Sequence, residues 1–211
     1  MQQLDSLDRT LAQANRALLT LFGRAHAARS NPADNVPSVE LSAAEELASA
    51  RLMRVNHAGE VCAQALYQAQ ASGARDPAIR QQLLDAASEE MDHLAWCQQR
   101  LAELNARPSA LNPVWYAGAY FFGWAAAKIA DDANLSFVIE TERQVEAHLQ
   151  AHLERLPEND GRSRAIVAEM CADEARHAEH AEKLGGRRPN ALVGYLMASA
   201  ANVMKGIAAR I

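Results

Sequence analysis

A glutamate followed about thirty positions later by a Glu-x-x-His element occurs twice in this sequence, and this repeat limits the possible folds more than any other feature. The two glutamates are 30 positions apart in the first copy and 32 in the second. Residues three apart on a helix share one face, so each Glu-x-x-His pair can reach the same ion. The six residues are Glu60, Glu90, His93, Glu142, Glu174 and His177.

A turn signal lies midway between the glutamates of each copy. The first turn is expected at residues 73–76, which begin with Gly73, and the second at 157–161, the stretch PENDG. At 1.5 Å per residue, both carboxylates of the first pair lie about 20 Å from their turn. The sequence therefore predicts two helical hairpins that form an internal repeat. In each hairpin, the single Glu and the Glu-x-x-His element lie at the same height along the helix axes.

Helix boundaries support this arrangement. Ser42 and Glu45 have the form of a capping box, Pro77 begins a helix, and Gly185 follows the end of one. We predict core helices over 43–72, 77–105, 134–156 and 162–184, with a long crossover between the second and the third. Two hairpins joined by one long crossover predict an all-α, ferritin-like four-helix bundle with accessory helices at both ends.

The chain of 211 residues is long enough for one well-packed domain. We predict an N-terminal helix and linker over 1–42, the bundle over 43–186 and a C-terminal helix over 187–211. The N-terminus contains acidic residues and no continuous apolar run, so it is not expected to be a signal peptide. Apolar residues at helical spacing predict an amphipathic packing helix there: Leu4, Leu7, Leu11, Leu18 and Phe22.

Charge and cysteine content exclude other classes of protein. The formal net charge is −5 and no segment concentrates enough basic charge to neutralise nucleic-acid phosphates, so no nucleic-acid partner is expected. Three cysteines without a Cys-x-x-Cys pair argue against a disulfide framework or a zinc ribbon. We expect Cys62, Cys97 and Cys171 to be small buried apolar residues.

Four carboxylates and two imidazoles inside a bundle would be strongly destabilising without cations, because like charges repel and each loses hydration. Two divalent irons would neutralise the four carboxylates. Carboxylate and imidazole ligands suit iron or manganese, whereas structural zinc and iron–sulfur clusters usually need cysteine. The sequence therefore predicts a di-metal site; the alternative is that the acids lie on solvated helix faces.

The polar neighbours of these six residues have other assignments. Glu146 lies one turn from Glu142 and is its main rival as a ligand. His57 and His148 are placed either beside the ligands or on the surface. Acids displaced by one or two positions from the ligands are expected mostly to face solvent or to pair with Arg176 or Lys183: Glu89, Asp92, Asp173 and Glu179.

Two segments are candidates for membrane contact. Residues 108–127 lack charge, but Asn112 and Pro113 interrupt them, so we predict a buried or membrane-facing crossover helix rather than a span. Its aromatic residues form either a lipid or polyprenyl contact or core packing: Trp115, Tyr116, Tyr120, Phe121, Phe122 and Trp124. Residues 189–211 lack acids and predict either a basic amphipathic helix on a membrane or a helix packed on the body.

Four segments resemble the demethoxyubiquinone hydroxylases, most closely the bacterial members. They are RVNHAGEVCAQALYQAQ at 54–70, EEMDHLAWC at 89–97, ETERQVEAHL at 140–149 and DEARHA at 173–178. The resemblance extends from about residue 45 to the C-terminus, and all six ligand positions of that family are filled. It implies an O2-dependent di-iron monooxygenase that hydroxylates a demethoxy polyprenyl benzoquinol in ubiquinone biosynthesis.

The same resemblance implies two iron ions per chain, held by the six residues, with the di-iron centre itself carrying the catalysis. It further implies a peripheral location on the cytoplasmic side of the bacterial cell membrane, with other ubiquinone-biosynthesis proteins as candidate partners. Two other functions remain open: a ferritin-like iron-storage or ferroxidase protein, and a metal-free helical scaffold at the membrane.

Overall fold

The computed structural model describes residues 6–211, and these residues form seven α-helices and no strand. The helices are α1 (Ser6–Phe22), α2 (Ala43–Gly73), α3 (Pro77–Glu103), α4 (Asn112–Ile129), α5 (Asp131–Arg155), α6 (Gly161–Lys183) and α7 (Ala191–Ala208). The four predicted core helices correspond to α2, α3, α5 and α6, and α4 is the crossover. The predicted all-α, ferritin-like bundle is confirmed.

The predicted helix boundaries are confirmed at three places. The Ser42 side chain accepts a hydrogen bond from the N–H of Glu45, and Glu45 accepts one from the N–H of Ser42 at 2.8 Å, which forms the capping box of α2. Asp76 caps α3 by accepting from the N–H of Ala78 at 2.7 Å. Gly185 has φ of 96°, a left-handed conformation that favours glycine and ends α6.

Two boundaries have other causes than the sequence suggests. Helix α3 ends at Glu103 rather than at Asn105, because Asn105 adopts a left-handed φ of 51°. Gly73 ends α2 without a left-handed φ; a Cβ there would lie 2.6 Å from the Cβ of Ala127. Glycine is needed at this position because α4 approaches α2 closely.

Helix α5 begins at Asp131, three residues before the predicted start at 134. The two carboxylate oxygens of Asp131 accept hydrogen bonds from the N–H groups of Arg75 and Asp76, at 3.0 and 2.9 Å. The start of the second hairpin is therefore tied to the turn of the first.

The core of the bundle consists of two main apolar clusters. One contains Met53, Cys97 and Met170, and the other contains Tyr67 and Leu83. On each of the four core helices, the glutamate of the predicted site lies between residues of the two clusters. The fold thus encloses these glutamates between two layers of apolar side chains.

The N-terminal helix packs through a different face from the predicted one. Leu11, Leu18 and Phe22 are exposed, whereas Ala17 and Leu21 pack against α2, α3 and α4. Helical spacing shows which residues share a face but does not show which face docks. Leu4 and the side chain of Leu7 lie outside the described residues.

Helix α4 packs along α2 and divides its aromatic residues into two groups. Tyr116 is buried, and Trp115 and Tyr120 pack partly against core clusters. The three aromatic residues that remain exposed are Phe121, Phe122 and Trp124. Core packing is therefore confirmed for Tyr116 and in part for Trp115 and Tyr120, whereas a lipid or polyprenyl contact of the three exposed residues stays a prediction.

Helix α7 docks on α2 and α5. Ala208 packs in a cluster with Val55 and Ala58, and Gln144 donates to the carbonyl of Gly194 at 3.0 Å. Among the described residues, α7 alone is long and apolar enough to cross a membrane by length and composition. The predicted basic character is weak in the helix itself, because Lys205 is the only charged residue between Ala191 and Ala208.

Candidate metal centre

The fold brings all six predicted ligand residues together in the middle of the bundle. Each residue is buried, with at most 3% of its surface exposed. They form two groups in which one potential ligand atom of each residue lies within 4.8 Å of the others. The groups are Glu60, Glu90, His93 and Glu174, and Glu90, Glu142, Glu174 and His177. The two groups share Glu90 and Glu174.

His93 presents one ring nitrogen to the glutamates and the other to an aspartate. Its Nδ1 lies 3.1 Å from Oε2 of Glu90, and 3.7 Å from the nearest oxygens of Glu60 and Glu174. Its Nε2 lies 2.8 Å from Oδ2 of Asp173. A carboxylate on the outer nitrogen fixes the tautomer and the ring orientation of a ligating histidine.

His177 has the same arrangement on the opposite side. Its Nδ1 lies 3.1 Å from Oε1 of Glu90, and its Nε2 lies 3.3 Å from Oε2 of Glu89. Glu89 and Asp173 each directly precede the glutamate of a Glu-x-x-His element. Each histidine is thus oriented by an acid from the other hairpin.

The prediction that Asp92 faces solvent or pairs with Arg176 or Lys183 is wrong; for Asp173 solvent exposure is wrong, but the expected pairing with Arg176 is confirmed. Both are buried, and both form ion pairs with Arg29, which comes from the segment between α1 and α2. Asp173 also pairs with Arg176. The sequence gives no signal for Arg29, because the path of a linker over a bundle depends on tertiary packing.

The expectations for the other displaced acids are confirmed. Glu89 is partly exposed and pairs with Arg176, and Glu179 is exposed. Glu146 pairs with Arg143 at 3.1 Å and is outside both groups. Glu142, rather than its rival Glu146, is therefore the residue that the fold brings to the cluster.

The two additional histidines lie away from the clustered carboxylates. His57 is buried, so the surface alternative is wrong for it, and its Nδ1 lies 3.3 Å from the side-chain nitrogen of Asn112. His148 packs against His152 with 3.9 Å between ring centroids. Neither His57 nor His148 belongs to the two groups.

The cysteines are free thiols outside both groups. Cys97 is fully buried, with its sulfur 3.9 Å from that of Met170. Cys62 and Cys171 are only partly buried. The predicted burial is confirmed for Cys97 alone.

Burial and mutual repulsion change the acidity of the clustered groups. Burial, together with the charge of Glu90, raises the pKa of Glu60 to about 8, and burial also raises the pKa of Glu174 well above its usual range. Burial would raise the pKa of Glu90 too, but His93 and His177 hold it well below its usual range. The protein without metal therefore retains protons in the cluster, which a cation would displace.

Unpartnered atoms inside the cluster show that its residues fit metal ions. Oε2 of Glu60 and Oε2 of Glu174 are buried and make no hydrogen bond, and Oε1 of Glu90 and Nδ1 of His177 lie 3.1 Å apart but are not aligned for one. Each such atom costs about 1–3 kcal/mol unless something compensates it. Carboxylate oxygens and imidazole nitrogens are ligands for iron or manganese. These buried Glu and His groups can therefore hold metal ions.

Tyr67 is a site residue that the sequence analysis did not identify. Its hydroxyl donates a 2.5 Å hydrogen bond to Oε1 of Glu142, and its ring lies 6.3 Å, centroid to centroid, from that of His177. Tyr67 follows Glu60 by seven positions, which is about two helical turns. This spacing places both residues on one face of α2 and is a signal that could have identified Tyr67.

The chain is similar to known proteins over nearly its whole length. The family model for ubiquinone biosynthesis protein COQ7 matches residues 47–208. A protein of Xanthomonas campestris pv. campestris (strain 8004) named 3-demethoxyubiquinol 3-hydroxylase is 56% identical over 97% of this chain and 94% of its own length. A protein of the same name from Polaromonas naphthalenivorans (strain CJ2) is 55% identical over 98% of this chain and 99% of its own. The chain belongs to the COQ7 family of ubiquinone biosynthesis proteins.

Proposed function

We propose that this protein is an O2-dependent monooxygenase with two irons per chain that hydroxylates the unsubstituted ring carbon of a demethoxy polyprenyl benzoquinol. The observation that carries the proposal is the pair of buried ligand groups that share Glu90 and Glu174. The name of the relatives, 3-demethoxyubiquinol 3-hydroxylase, supports the same reaction for this chain.

The two groups suggest an assignment of ligands. Glu60, Glu90, His93 and Glu174 would hold one iron, and Glu90, Glu142, Glu174 and His177 would hold the other. When bound, the iron pair supplies the activation of O2. One oxygen atom would enter the ring C–H bond and the other would leave as water, with two electrons from an external reductant and two protons from solvent.

The side chains around the ligands hold this arrangement. Asp173 and Glu89 accept hydrogen bonds from the outer nitrogens of the histidines, and Tyr67 donates to Glu142. Because the apolar clusters on both sides exclude water, these interactions are stronger than they would be in solvent. The ligands are thereby oriented before metal or substrate arrives.

The outer surface of the protein suggests how a polyprenyl substrate is reached. Exposed Phe121 and Trp124 on α4, and exposed Leu192 and Leu196 on α7, project from two helices that both pack on α2, the helix of Glu60. Exposed apolar faces of this kind mark contacts with membranes or proteins. We propose that these faces contact the cytoplasmic side of the bacterial cell membrane, in which the polyprenyl tail of the substrate resides.

Each part of the chain has a proposed role. Residues 43–186 would form the di-iron body, 187–211 would attach it to the membrane, and the described residues 6–42 cover its outer side, all within one domain. Other proteins of ubiquinone biosynthesis are candidate partners at the same apolar surface.

Iron storage is the second candidate function, because a ferroxidase would use the same ligands. The exposed apolar faces of α4 and α7 favour the hydroxylase, since a soluble cage protein would expose polar helices there. A metal-free scaffold would not require the six buried ligand residues.

A single-turnover experiment tests the proposal. Protein loaded anaerobically with Fe(II) should bind two irons per chain and, on mixing with ¹⁸O2 and a short-chain demethoxyubiquinol, yield one labelled hydroxylated product per iron pair. The two ferrous ions supply the two electrons. Glu179→Ala, an exposed site on α6, serves as the matched control for Glu174→Ala, which should abolish product. A full iron complement without product would contradict the hydroxylase and leave iron storage.

A further inference from the structure

The segment between α1 and α2 crosses the seam between the two hairpins. We call residues 24–36 the N-terminal strap. The N–H of Ala25 donates to Gln98 of α3 at 3.0 Å, and Arg162 of α6 donates to the carbonyl of Val36 at 3.1 Å. Ala33 is fully buried in the core. The strap is therefore fixed to one helix of each hairpin.

Arg29 lies at the centre of this strap and joins α3 to α6. Its Nε lies 2.9 Å from Oδ2 of Asp92 on α3, and its Nη2 lies 2.5 Å from Oδ2 of Asp173 on α6. Its guanidinium carbon lies 4.8 Å from the ring centroid of Trp96. A guanidinium is well suited to this position, because its planar fork can hold two carboxylates at once.

The same oxygen of Asp173 contacts both Arg29 and His93. Oδ2 of Asp173 lies 2.8 Å from Nε2 of His93, and Nη2 of Arg29 lies 3.4 Å from that nitrogen. Arg176 holds the other oxygen, Oδ1, at 2.6 Å. Arg29 thus fixes the oxygen that determines the orientation of the His93 ring.

The His177 side does not use the strap. Glu89, which contacts Nε2 of His177, is held by Arg176 from α6 itself. The His177 half has its own additional contact, the hydrogen bond from Tyr67 to Glu142, but the described contact with a residue outside the four core helices is confined to the half that contains His93.

We propose that Arg29 is a positioning residue for the metal position formed by Glu60, Glu90, His93 and Glu174, and that the N-terminal strap thereby sets the iron affinity of that position. The inference rests on the proposed metal role of these residues. It gives the N-terminal strap, which lies outside the matched family region of residues 47–208, a part in the metal centre.

Anaerobic equilibrium dialysis with Fe(II) tests this role. In Arg29→Ala, one of the two irons should bind about 10- to 100-fold more weakly, the usual effect of losing a residue that orients a ligand. The other iron should keep its affinity within about twofold. The wild-type protein in the same experiment should bind two irons.

Double variants identify which position is affected. Glu142 belongs only to the His177 group and Glu60 only to the His93 group. Adding Arg29→Ala to Glu142→Ala should therefore weaken the one remaining iron about 10- to 100-fold, whereas adding it to Glu60→Ala should change the remaining iron by less than about twofold.

Two control variants separate positioning from general stability. Arg29→Lys keeps the charge but not the planar fork, so its iron affinity should lie between those of the wild type and Arg29→Ala. Arg24→Ala, an exposed site on the same strap, should bind iron as the wild type does. Thermal unfolding followed by circular dichroism verifies that each variant is folded.

The outcomes distinguish a failure of the role of Arg29 from a failure of the proposed function. Two tightly bound irons in Arg29→Ala, or equal losses in the Glu60→Ala and Glu142→Ala backgrounds, would overturn the role of Arg29 and leave the proposed function intact. Failure of the wild type to bind two irons would overturn both.

Discussion

The hydroxyl of Tyr67 donates a 2.5 Å hydrogen bond to Oε1 of Glu142, and both side chains are buried. Burial raises the pKa of Tyr67 well above its usual range, so the phenol stays protonated and remains a donor. In Tyr67→Phe, the Glu142 oxygen loses this donor at a cost of about 1–3 kcal/mol. We expect turnover to fall about tenfold or more while two irons are retained, as measured by single-turnover product and iron analysis.

The matched control for this variant is Tyr116→Phe, which also removes a buried hydrogen bond, to Gln68 at 2.9 Å. Its stability should fall by a similar amount, because a comparable group loses its partner. Its turnover per bound iron should not change. Equal losses of turnover in the two variants would show that Tyr67 acts only through stability.

Glu90 contributes to both metal positions, whereas Glu60 contributes to one. We expect Glu60→Ala to retain one tightly bound iron per chain and Glu90→Ala to retain none at the same free Fe(II) concentration. Anaerobic Fe(II) titration with elemental analysis measures both. Retention of one iron in Glu90→Ala would contradict a bridging role for this residue.

His57 makes stability depend on pH, because burial lowers its pKa to about 4. The unfolded chain binds a proton near pH 6.5, so the unfolding free energy is highest above that pH and falls as the pH decreases towards 4. Between about pH 7 and 4.5, the wild type should lose about 2 kcal/mol more than His57→Gln. Urea denaturation of the metal-free proteins measures the difference.

Other groups titrate in both proteins of this pair, including His148 and His152, whose pKa values burial lowers to about 4 and about 3. Their contributions cancel in the comparison. Parallel stability curves for the wild type and His57→Gln would show that the buried imidazole does not take up a proton on unfolding.

The exposed apolar residues of α7 should determine membrane attachment. Leu192 and Leu196 are both exposed, and burying a leucine in an apolar phase contributes about 1.5–3 kcal/mol. The double variant Leu192→Glu, Leu196→Glu should therefore bind at least about tenfold more weakly to vesicles of bacterial phospholipid in a flotation assay.

A suitable control is Ala151→Glu, which adds a charge at an exposed position of α5. It should float with the vesicles like the wild type. The folded state of both variants can be verified by their iron content. Undiminished flotation of the α7 double variant would place the membrane contact elsewhere on the protein.

The level of the ligands in the bundle could be predicted from the sequence, because a helix rises by a constant amount per residue. Counting from the turns at 73–76 and 157–161 is enough to pair Glu60 with Glu90 and Glu142 with Glu174. The same counting favours Glu142 over Glu146, and Glu146 indeed pairs with Arg143 instead. These features depend only on local geometry.

The surroundings of the ligands could not be predicted in the same way. Asp92 lies on the outer side of α3, and a helix pattern distinguishes only a core face from an outer face. The N-terminal strap covers that outer face and buries Asp92 with Arg29, which no helical period indicates. The docking face of α1 is unpredictable for a related reason. Helical spacing does not show whether the face with Leu18, which is exposed, or the face with Ala17 and Leu21, which packs, meets the bundle.

The crossed contacts of His93 with Asp173, and of His177 with Glu89, have a consequence for the origin of the fold. A single hairpin of this type carries a histidine but not the acid that orients it. Two identical hairpins related by a twofold axis would supply that acid to each other. The site is therefore one that a homodimer of hairpins would assemble, and gene duplication with fusion through α4 would make its formation independent of protein concentration.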